Sequence, residues 1–579
     1  MIKADGLPTT QWKLSEGNEY IQKTFVKELG ITPVLSRVLT SRQILTSEQA
    51  HRYLYPSLND LHNPFLMKDM KKGVQRLITS IYNQEKVAIY GDYDADGITS
   101  VVILLKFLRD IGHNVTFYIP DRIKEGYGLN RDAIDKLRVD GVGLIVTVDC
   151  GISDHEQITY ARSIGMDTVI LDHHEVPAII PDAVAVIDQH RKECSFPFKN
   201  LAAVGIVFNF LIALRSALRK DGFWTNRKYP NLREYLDLVA IGTIGDISPL
   251  VDENRIFARI GLDLITEGGR IGLKALKEVC GIANQVIDSG KASFCLIPRI
   301  NAAGRIASAA EAVQLLLTDN MAEAREIAYR LDTYNRKRQS MEKVILNEII
   351  NEIEKTINPE QVGSLVFASQ KWHPGVIGIV ASRLVDRYHR PAILISLNNG
   401  VGKGSGRSVA DFNIYQGLKK CDSLLLSYGG HRFAAGISIR EEDIKEFKDL
   451  LECVIRQETD ISSFVSQTFI DTQCNLHDIN HELMSQIGML APFGSKNPEP
   501  VFCVRNINVS LQSVVGNNHL RMKITGNGVS HNSIWFSKGH LLGSLSETSM
   551  DIAFTPQISH WNGISDIQLR LKDMSIPFN

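Results

Sequence analysis

The feature that most constrains this chain is a rhythm of short β-branched runs. "KVAIY", "NVTFYI", "GLIVTVD", "DTVILDHH" and "AVAVID" recur in the first half, with helix-like stretches such as "GITSVVILLKFLRDIG" and "DHEQITYARSIG" separating several of them. Strands alternating with helices predict a parallel sheet covered on both faces. The runs also end in acids. Asp92, Asp94 and Asp96 follow the first in "VAIYGDYDADGITS", Asp149 closes "LIVTVD", and Asp172, His173 and His174 close "TVIL". Asp246 in "GTIGDISPL" is a further acid. Sites in open parallel sheets form where strands end at the carboxyl edge.

Residues two apart on extended chain share a face, so Asp92, Asp94 and Asp96 can point the same way. Uncompensated, such charges repel, and burial raises their pKa values. A divalent cation removes the conflict. Oxygen ligands with one or two imidazoles suit Mn²⁺ or Mg²⁺ better than zinc. Six acids and two histidines exceed the needs of one ion. Two ions about 3.5–4 Å apart, bridged by a carboxylate, would use them and activate water against a phosphoryl centre. A lone DxD is usually a turn or a cap, and a lone HH pair is usually structural. Acids at successive strand ends point instead to a metal cradle.

At 579 residues the chain exceeds one compact core, and about three to five units are expected. A net charge of −1 announces no polyanion partner, so a nucleic-acid binder of this composition has to concentrate its basic residues locally. Eight scattered cysteines without a CxxC pair argue against zinc and against a disulfide framework, and suit a reducing compartment. No apolar run approaches the ~18 residues of a membrane span, so a cytoplasmic protein is expected, without membrane contact.

The expected division is a helical lead-in over 1–80, a parallel-sheet catalytic domain over 81–260, a helical connector with a long spacer helix over 261–357, a second α/β domain over 358–455, and an all-β domain over 456–579. Arg122 follows the strand "NVTFYIP", which places it at the same sheet edge as the acids, and Arg299 and Arg305 flank "INAAG". The stretch "GVGKGSGRS" is not a nucleotide-binding P-loop, because Gly404 follows Lys403 where Ser or Thr is required. Its glycines still admit a phosphate to backbone N–H groups, with Ser405, Arg407 and Ser408 beside it and His431 of "GGHRFAAG" as a further donor. In "HLRMKIT", Leu520, Met522 and Ile524 face inward while Arg521 and Lys523 face out. Arg570 and Lys572 repeat this outward pattern, and Trp535, Phe536 and Trp561 are candidate stacking platforms for a single strand.

With "DYDADG", "VTVDCG", "DHH" and "IGDISPL" in this order, the sequence resembles the DHH phosphoesterase superfamily, and most closely its RecJ single-strand-specific exonucleases. The resemblance extends over "PDRIKEGYGLN", "PRINAAGRI", "WHPGVIGIVASRL", "GSGRS", "GGHRFAAG" and "APFGSKNPEPVF", nearly the whole chain. In the last motif Lys496 stands where the family usually has glycine. The resemblance implies a DHH catalytic domain, a DHH-associated domain and a C-terminal OB-fold. It implies two divalent cations, Mn²⁺ or Mg²⁺, held by Asp94, Asp96, Asp149, His173 and Asp246, with Asp149 bridging and Asp92 a direct or outer ligand. His174 would face the substrate phosphate while Asp172 orients the neighbouring imidazole. Arg122, Arg299, Arg305, Ser405, Arg407, Ser408 and His431 would contact the strand. The implied activity is 5′-to-3′ hydrolysis of single-stranded DNA to 5′-mononucleotides by a monomer, in recombination and repair, alongside a helicase and a single-strand-binding protein. The rival readings are a small-substrate DHH phosphoesterase and a non-catalytic single-strand-binding descendant.

Overall fold

The computed structural model describes residues 11–15, 17–122, 124–464, 467–543, 545, 549–561 and 564–575, the side chains of 560, 561 and 564 excepted. The chain forms two compact units, one of residues 58–464 with the segment Gly494–Asn497, the other of residues up to 57, 465–493 and 498–579.

The larger unit holds the expected parallel sheet. Its strands are β1 (Lys86–Gly91), β2 (Val115–Tyr118), β3 (Val142–Val148), β4 (Asp167–Leu171) and β5 (Ala185–Ile187), in the order β2-β1-β3-β4-β5. All neighbours run parallel. The central strands are buried on both faces, which is why they read as continuous apolar runs rather than alternating ones. Helices α1 (Ala95–Asp110), α2 (Ala203–Lys220) and α3 (Leu236–Gly245) supply much of one covering layer and share its core.

Register decides what happens at the carboxyl edge. Gly91 pairs with Val148, Val148 with Leu171, and Leu171 with Ile187. The next residue in each strand is therefore an aspartate in a common row: Asp92, Asp149, Asp172 and Asp188.

The expected boundary at 260/261 falls inside a helix, Asp252–Glu267. The same apolar core continues to Leu331, so no break in packing separates catalytic domain from connector there. The long helix α4 spans Met321–Thr356, 36 residues. It is packed along its length rather than free-standing. Ala324, Ile327, Ala328 and Leu331 join the core of the first sheet, and Ile345, Ile349 and Ile353 join that of the second. The second sheet is mixed, with strands β6 (Leu365–Ser369), β7 (Ala392–Asn398), β8 (Val401–Arg407), β9 (Leu425–Gly430) and β10 (Ala434–Arg440) in the order β9-β10-β8-β7-β6. Helix α5 (Pro374–Tyr388) packs on β7 and β8. In the segment Gly494–Asn497, Lys496 adopts φ 57°, a left-handed backbone that glycine takes freely and other residues at about 1 kcal/mol. This lysine holds a conformation suited to glycine.

In the smaller unit, strands Phe502–Val515, His519–Gly526, Val529–Trp535, Met550–Trp561 and Ile564–Ser575 close into an OB-like barrel, because the first also pairs with the fourth. Helices Glu19–Leu29, Pro33–Ser41 and Ser47–Leu54 share the barrel's apolar core. Leu520, Met522 and Ile524 point inward and Arg521 outward, as the alternation predicts. Trp535 corrects the sequence reading: it is buried in the core and offers no stacking face, while its neighbour Phe536 is exposed. The side chain of Trp561 lies outside the described residues. Arg570 is half-buried and pairs with Glu499.

Candidate metal centre

The carboxyl edge of the first sheet gathers all eight of the expected acids and histidines. Asp94 caps α1, its Oδ1 accepting from the N–H groups of Asp96 and Gly97 at 2.9 and 3.2 Å. Gly97 has to be glycine, because a Cβ there would stand 2.5 Å from the carbonyl oxygen of Asp92. The start of α1 is also braced by Asn301, whose Oδ1 accepts from the Ala95 N–H at 2.7 Å. Asp96 meets the first turn of α2, accepting from Ala203 N at 2.7 Å and Val204 N at 2.8 Å. Helix N-termini favour such anions.

Asp149 sits at φ 62°, a conformation aspartate tolerates better than most residues. Its Oδ1 lies 3.2 Å from His173 Nε2. On the other side of that ring, Asp246 Oδ2 lies 3.9 Å from Nδ1 and accepts from the Ser248 hydroxyl at 2.6 Å. Asp172 is fully buried and orients the histidine pair. Its Oδ1 accepts from His173 N at 2.8 Å and lies 2.7 Å from His174 Nδ1, while Oδ2 accepts from Ile152 N at 3.0 Å.

Ligand atoms fall into three groups, each within 4.8 Å: Asp92, Asp94 and Asp149; Asp96, His173 and Asp246; Asp149, His173 and His174. Asp149 and His173 each belong to two of them.

The electrostatics fit cations. Burial raises the carboxyls of Asp92 and Asp149 well above their usual range, and neighbouring carboxylates, Asp94 and Asp96 respectively, push the same way. Asp96 is raised to about 7 by burial and by Asp246. Asp92 Oδ1 is buried with no hydrogen-bond partner. Buried carboxylates that still repel one another despite these donors are stabilised by divalent positive charge. Burial works against the charged form of His174, but its hydrogen bond to Asp172 and the negative charges of Asp172 and Asp149 together raise the imidazole to about 9. Burial likewise opposes ionisation of Asp172, yet His174 holds that carboxyl at about 2.

The sequence reading missed three neighbours. Tyr127 donates its hydroxyl to the Asp149 carbonyl at 3.0 Å and lies 3.3 Å from His174 Nδ1. Asp188, in the row described above, is buried with Oδ2 unpartnered, and its signal was the acid that ends "AVAVID". Ile247, next to Asp246, has φ 61° and is 73% exposed.

A cavity of about 420 Å³ lies where the first and second sheets' layers meet, lined by Arg122, Arg305, Lys403, Ser405 and Arg407 with the backbone at the start of α5. Gly378 permits this closeness, since a Cβ would stand 2.7 Å from Ser405 Oγ and 3.1 Å from Arg407 Nη2. Burial lowers Arg305 to about 10, and Arg122 adds to the effect. Burial and Arg122 lower Arg407 in the same way. Desolvated like charges around an open cavity are the electrostatic complement of an anion. The sequence around Lys403 gives no sign of its place here, because its side chain's destination depends on how β8 pairs.

Three expected contacts are elsewhere. Arg299 is committed to Asp332 of α4, at 2.9 Å from Nε and 2.7 Å from Nη2, and to the Cys295 carbonyl at 2.6 Å. Ser408 donates to the Phe412 carbonyl at 2.8 Å and closes a turn. His431 is exposed, outside the cavity lining, with Nδ1 3.6 Å from Glu175 Oε1 of the histidine loop.

Three family models match: the DHH family N-terminal domain over residues 86–243, the DHHA1 domain over 361–457 and the RecJ OB domain over 470–573. The single-stranded-DNA-specific exonuclease RecJ of Bacillus subtilis is 36% identical over 571 residues, 98% of this chain and 71% of that protein. That of Escherichia coli is 34% identical over 94% of this chain and 92% of its own. The crystal structure of RecJ in complex with Mn²⁺ from Thermus thermophilus superposes with a TM-score of 0.84 at 26% identity, covering 98% of this chain and 80% of that one. By these matches the chain belongs to the DHH family and, within it, to the RecJ single-stranded-DNA-specific exonucleases.

Proposed function

We propose that this protein is a metal-dependent exonuclease specific for single-stranded DNA. The observation that carries the reading is the sharing of Asp149 and His173 among three adjacent ligand groups at one sheet edge. Asp92, Asp94, Asp96, Asp149, His173 and Asp246 would hold two divalent cations, Mn²⁺ or Mg²⁺. Such a pair supplies Lewis acidity that activates water and stabilises the attacking and leaving oxygens.

The chain's own groups do the rest. Asp172 keeps a proton on His174 Nδ1, which leaves Nε2 to meet a phosphate oxygen, and at a pKa of about 9 the ring is cationic at neutral pH. Ser248 steadies Asp246, and Tyr127 ties the Asp149 backbone to the histidine loop. Arg122, Arg305, Ser405 and Arg407, with Lys403, would take the terminal phosphate of the strand in the neighbouring cavity. A phosphate there would fix which bond reaches the carboxylates, which favours release of one nucleotide at a time. The 5′-to-3′ polarity, 5′-mononucleotide products and a role in recombination and repair follow from the family.

The basic outer face of the barrel, with Arg521 and exposed Phe536, would bind single-stranded DNA. We assign residues up to about 80 to a lead-in, 81 to about 357 to the catalytic domain with the helical connector that shares its core, 358–455 to the DHH-associated domain and 456–579 to strand binding. No helix among the described residues is long and apolar enough to cross a membrane. A cytoplasmic monomer working with a helicase and a single-strand-binding protein fits that setting.

End-labelled single strands, DNA and RNA, incubated with Mn²⁺ or Mg²⁺ and resolved by product length, test the reading. Stepwise loss of nucleotides from DNA is expected. No turnover with any divalent ion would favour a non-catalytic binding protein, and cleavage confined to dinucleotides would favour a small-substrate phosphoesterase.

A further inference from the structure

Helix α3 ends at Asp246 in a Schellman closure: the Ile247 N–H donates to the Ile244 carbonyl and the Ser248 N–H to the Thr243 carbonyl, both at 3.2 Å. In that closure the residue at the Ile247 position takes a left-handed backbone, and glycine is the usual occupant. Here φ is 61°. Among the described non-glycine residues with positive φ, Ile247 is the one β-branched residue. A side chain branched at Cβ crowds its own carbonyl in this region, so the position carries strain that glycine would remove.

Burial does not compensate. Ile247 is 73% exposed, whereas the residues on either side are largely withdrawn: Ser248 is buried and the Asp246 side chain is 28% exposed. Both closing hydrogen bonds use backbone atoms and would form equally with glycine. The folded chain by itself therefore gains little from this side chain. Strain retained at a site points to a contact that the free protein lacks. The surface in question is an aliphatic group one residue from a carboxylate that lies 3.9 Å from His173.

We propose that Ile247 packs against a nucleobase of the single strand next to the bond being cut, so that it selects and positions the strand end. This rests on the nuclease reading above. A nucleobase presents a flat apolar face without regard to sequence, which suits a nonspecific exonuclease. The phosphate would be held by charged groups, and the base would otherwise swing free. Ile247 thus fills a role that neither the carboxylates nor the arginines can.

The test compares parent, Ile247→Gly and Ile247→Leu on two 5′-phosphorylated single strands, one with all its bases and one abasic at its first residues. Thermal unfolding and Mn²⁺ affinity, measured on the same proteins, report the fold and the Asp246 geometry. For Ile247→Gly, KM on the base-bearing strand should rise about five- to tenfold with Tm unchanged or higher, while parent and variant differ less than twofold on the abasic strand. Ile247→Leu should stay close to the parent. Equal KM for parent and glycine variant on the base-bearing strand overturns the proposal, and so does an equal loss on both strands. A parent protein that leaves the base-bearing strand intact is a separate result and sinks the nuclease reading itself.

Discussion

His173 Nε2 lies 3.2 Å from Asp149 Oδ1, and no covalent proximity explains it: one residue follows β3 and the other nearly follows β4. The pair stands at the overlap of the ligand groups, so its state reports whether the centre is assembled. Asp149→Asn keeps the left-handed backbone and removes the charge. We expect turnover to fall by about 10³-fold or more in saturating Mn²⁺. The metal-free variant should melt no lower than the parent, because a carboxyl that burial holds well above its usual pKa has been neutralised. Retained turnover would remove these carboxylates from the reaction.

The pH dependence has a definite sign. Asp96 titrates at about 7 in the folded, metal-free chain, against 3.8 ordinarily. Between those values the folded state binds more protons than the unfolded one, so this group's stabilisation is full below pH ~4 and is lost as pH rises through ~7. Cations compete with those protons. The rise in Tm produced by Mn²⁺ should therefore be larger at pH 7.5 than at pH 5.5, by at least ~2 °C. Calorimetric scans at both pH values, with and without Mn²⁺, check this.

Arg299 and Arg305, six residues apart, should behave oppositely. Arg305→Ala should raise KM for 5′-phosphorylated strands about tenfold and erase the preference over 5′-hydroxyl strands, since Arg305 lines the cationic cavity. Arg299→Ala should leave KM within twofold and cost about 2 kcal/mol of stability, because it breaks a mostly buried pair with Asp332. Steady-state kinetics and urea unfolding separate the two.

Asp172→Asn should lower turnover about 10–100-fold with two Mn²⁺ still bound, as it frees the His174 ring without removing a proposed ligand. The imidazole should also titrate below its present value of about 9, which NMR of the ring protons would follow.

Single-strand selectivity should appear as a difference between ends. The cationic cavity is formed where two layers meet, and we expect the path from it to the carboxylates to take one strand but not a duplex. A blunt duplex should be spared while a duplex with a 5′ tail is trimmed. Equal degradation of both, read on a denaturing gel, would sink the expectation of a one-strand path.

Local patterns made the centre legible. Asp94 and Asp96 sit at a helix start, Asp149 and the DHH run at strand ends, and each local context survives folding because it depends on strand periodicity and capping. Other positions depended on partners remote in sequence. Trp535 looked like a platform, yet it pairs with the inward-facing Leu520 and is buried with it. Arg299 looked like a phosphate ligand, yet α4 supplied Asp332.

By itself the sequence determined the alternation of strands and helices, the acids that end the strands and the glycines where backbones approach closely. These follow from the conformational preferences of short segments. Tertiary structure alone decided the register that aligns Asp92, Asp149, Asp172 and Asp188, the choice of Arg305 over Arg299 for the cavity, and the exposure of Ile247. Each is set by packing between segments tens to hundreds of residues apart, and the energy that selects among such pairings belongs to the whole core rather than to any stretch of chain.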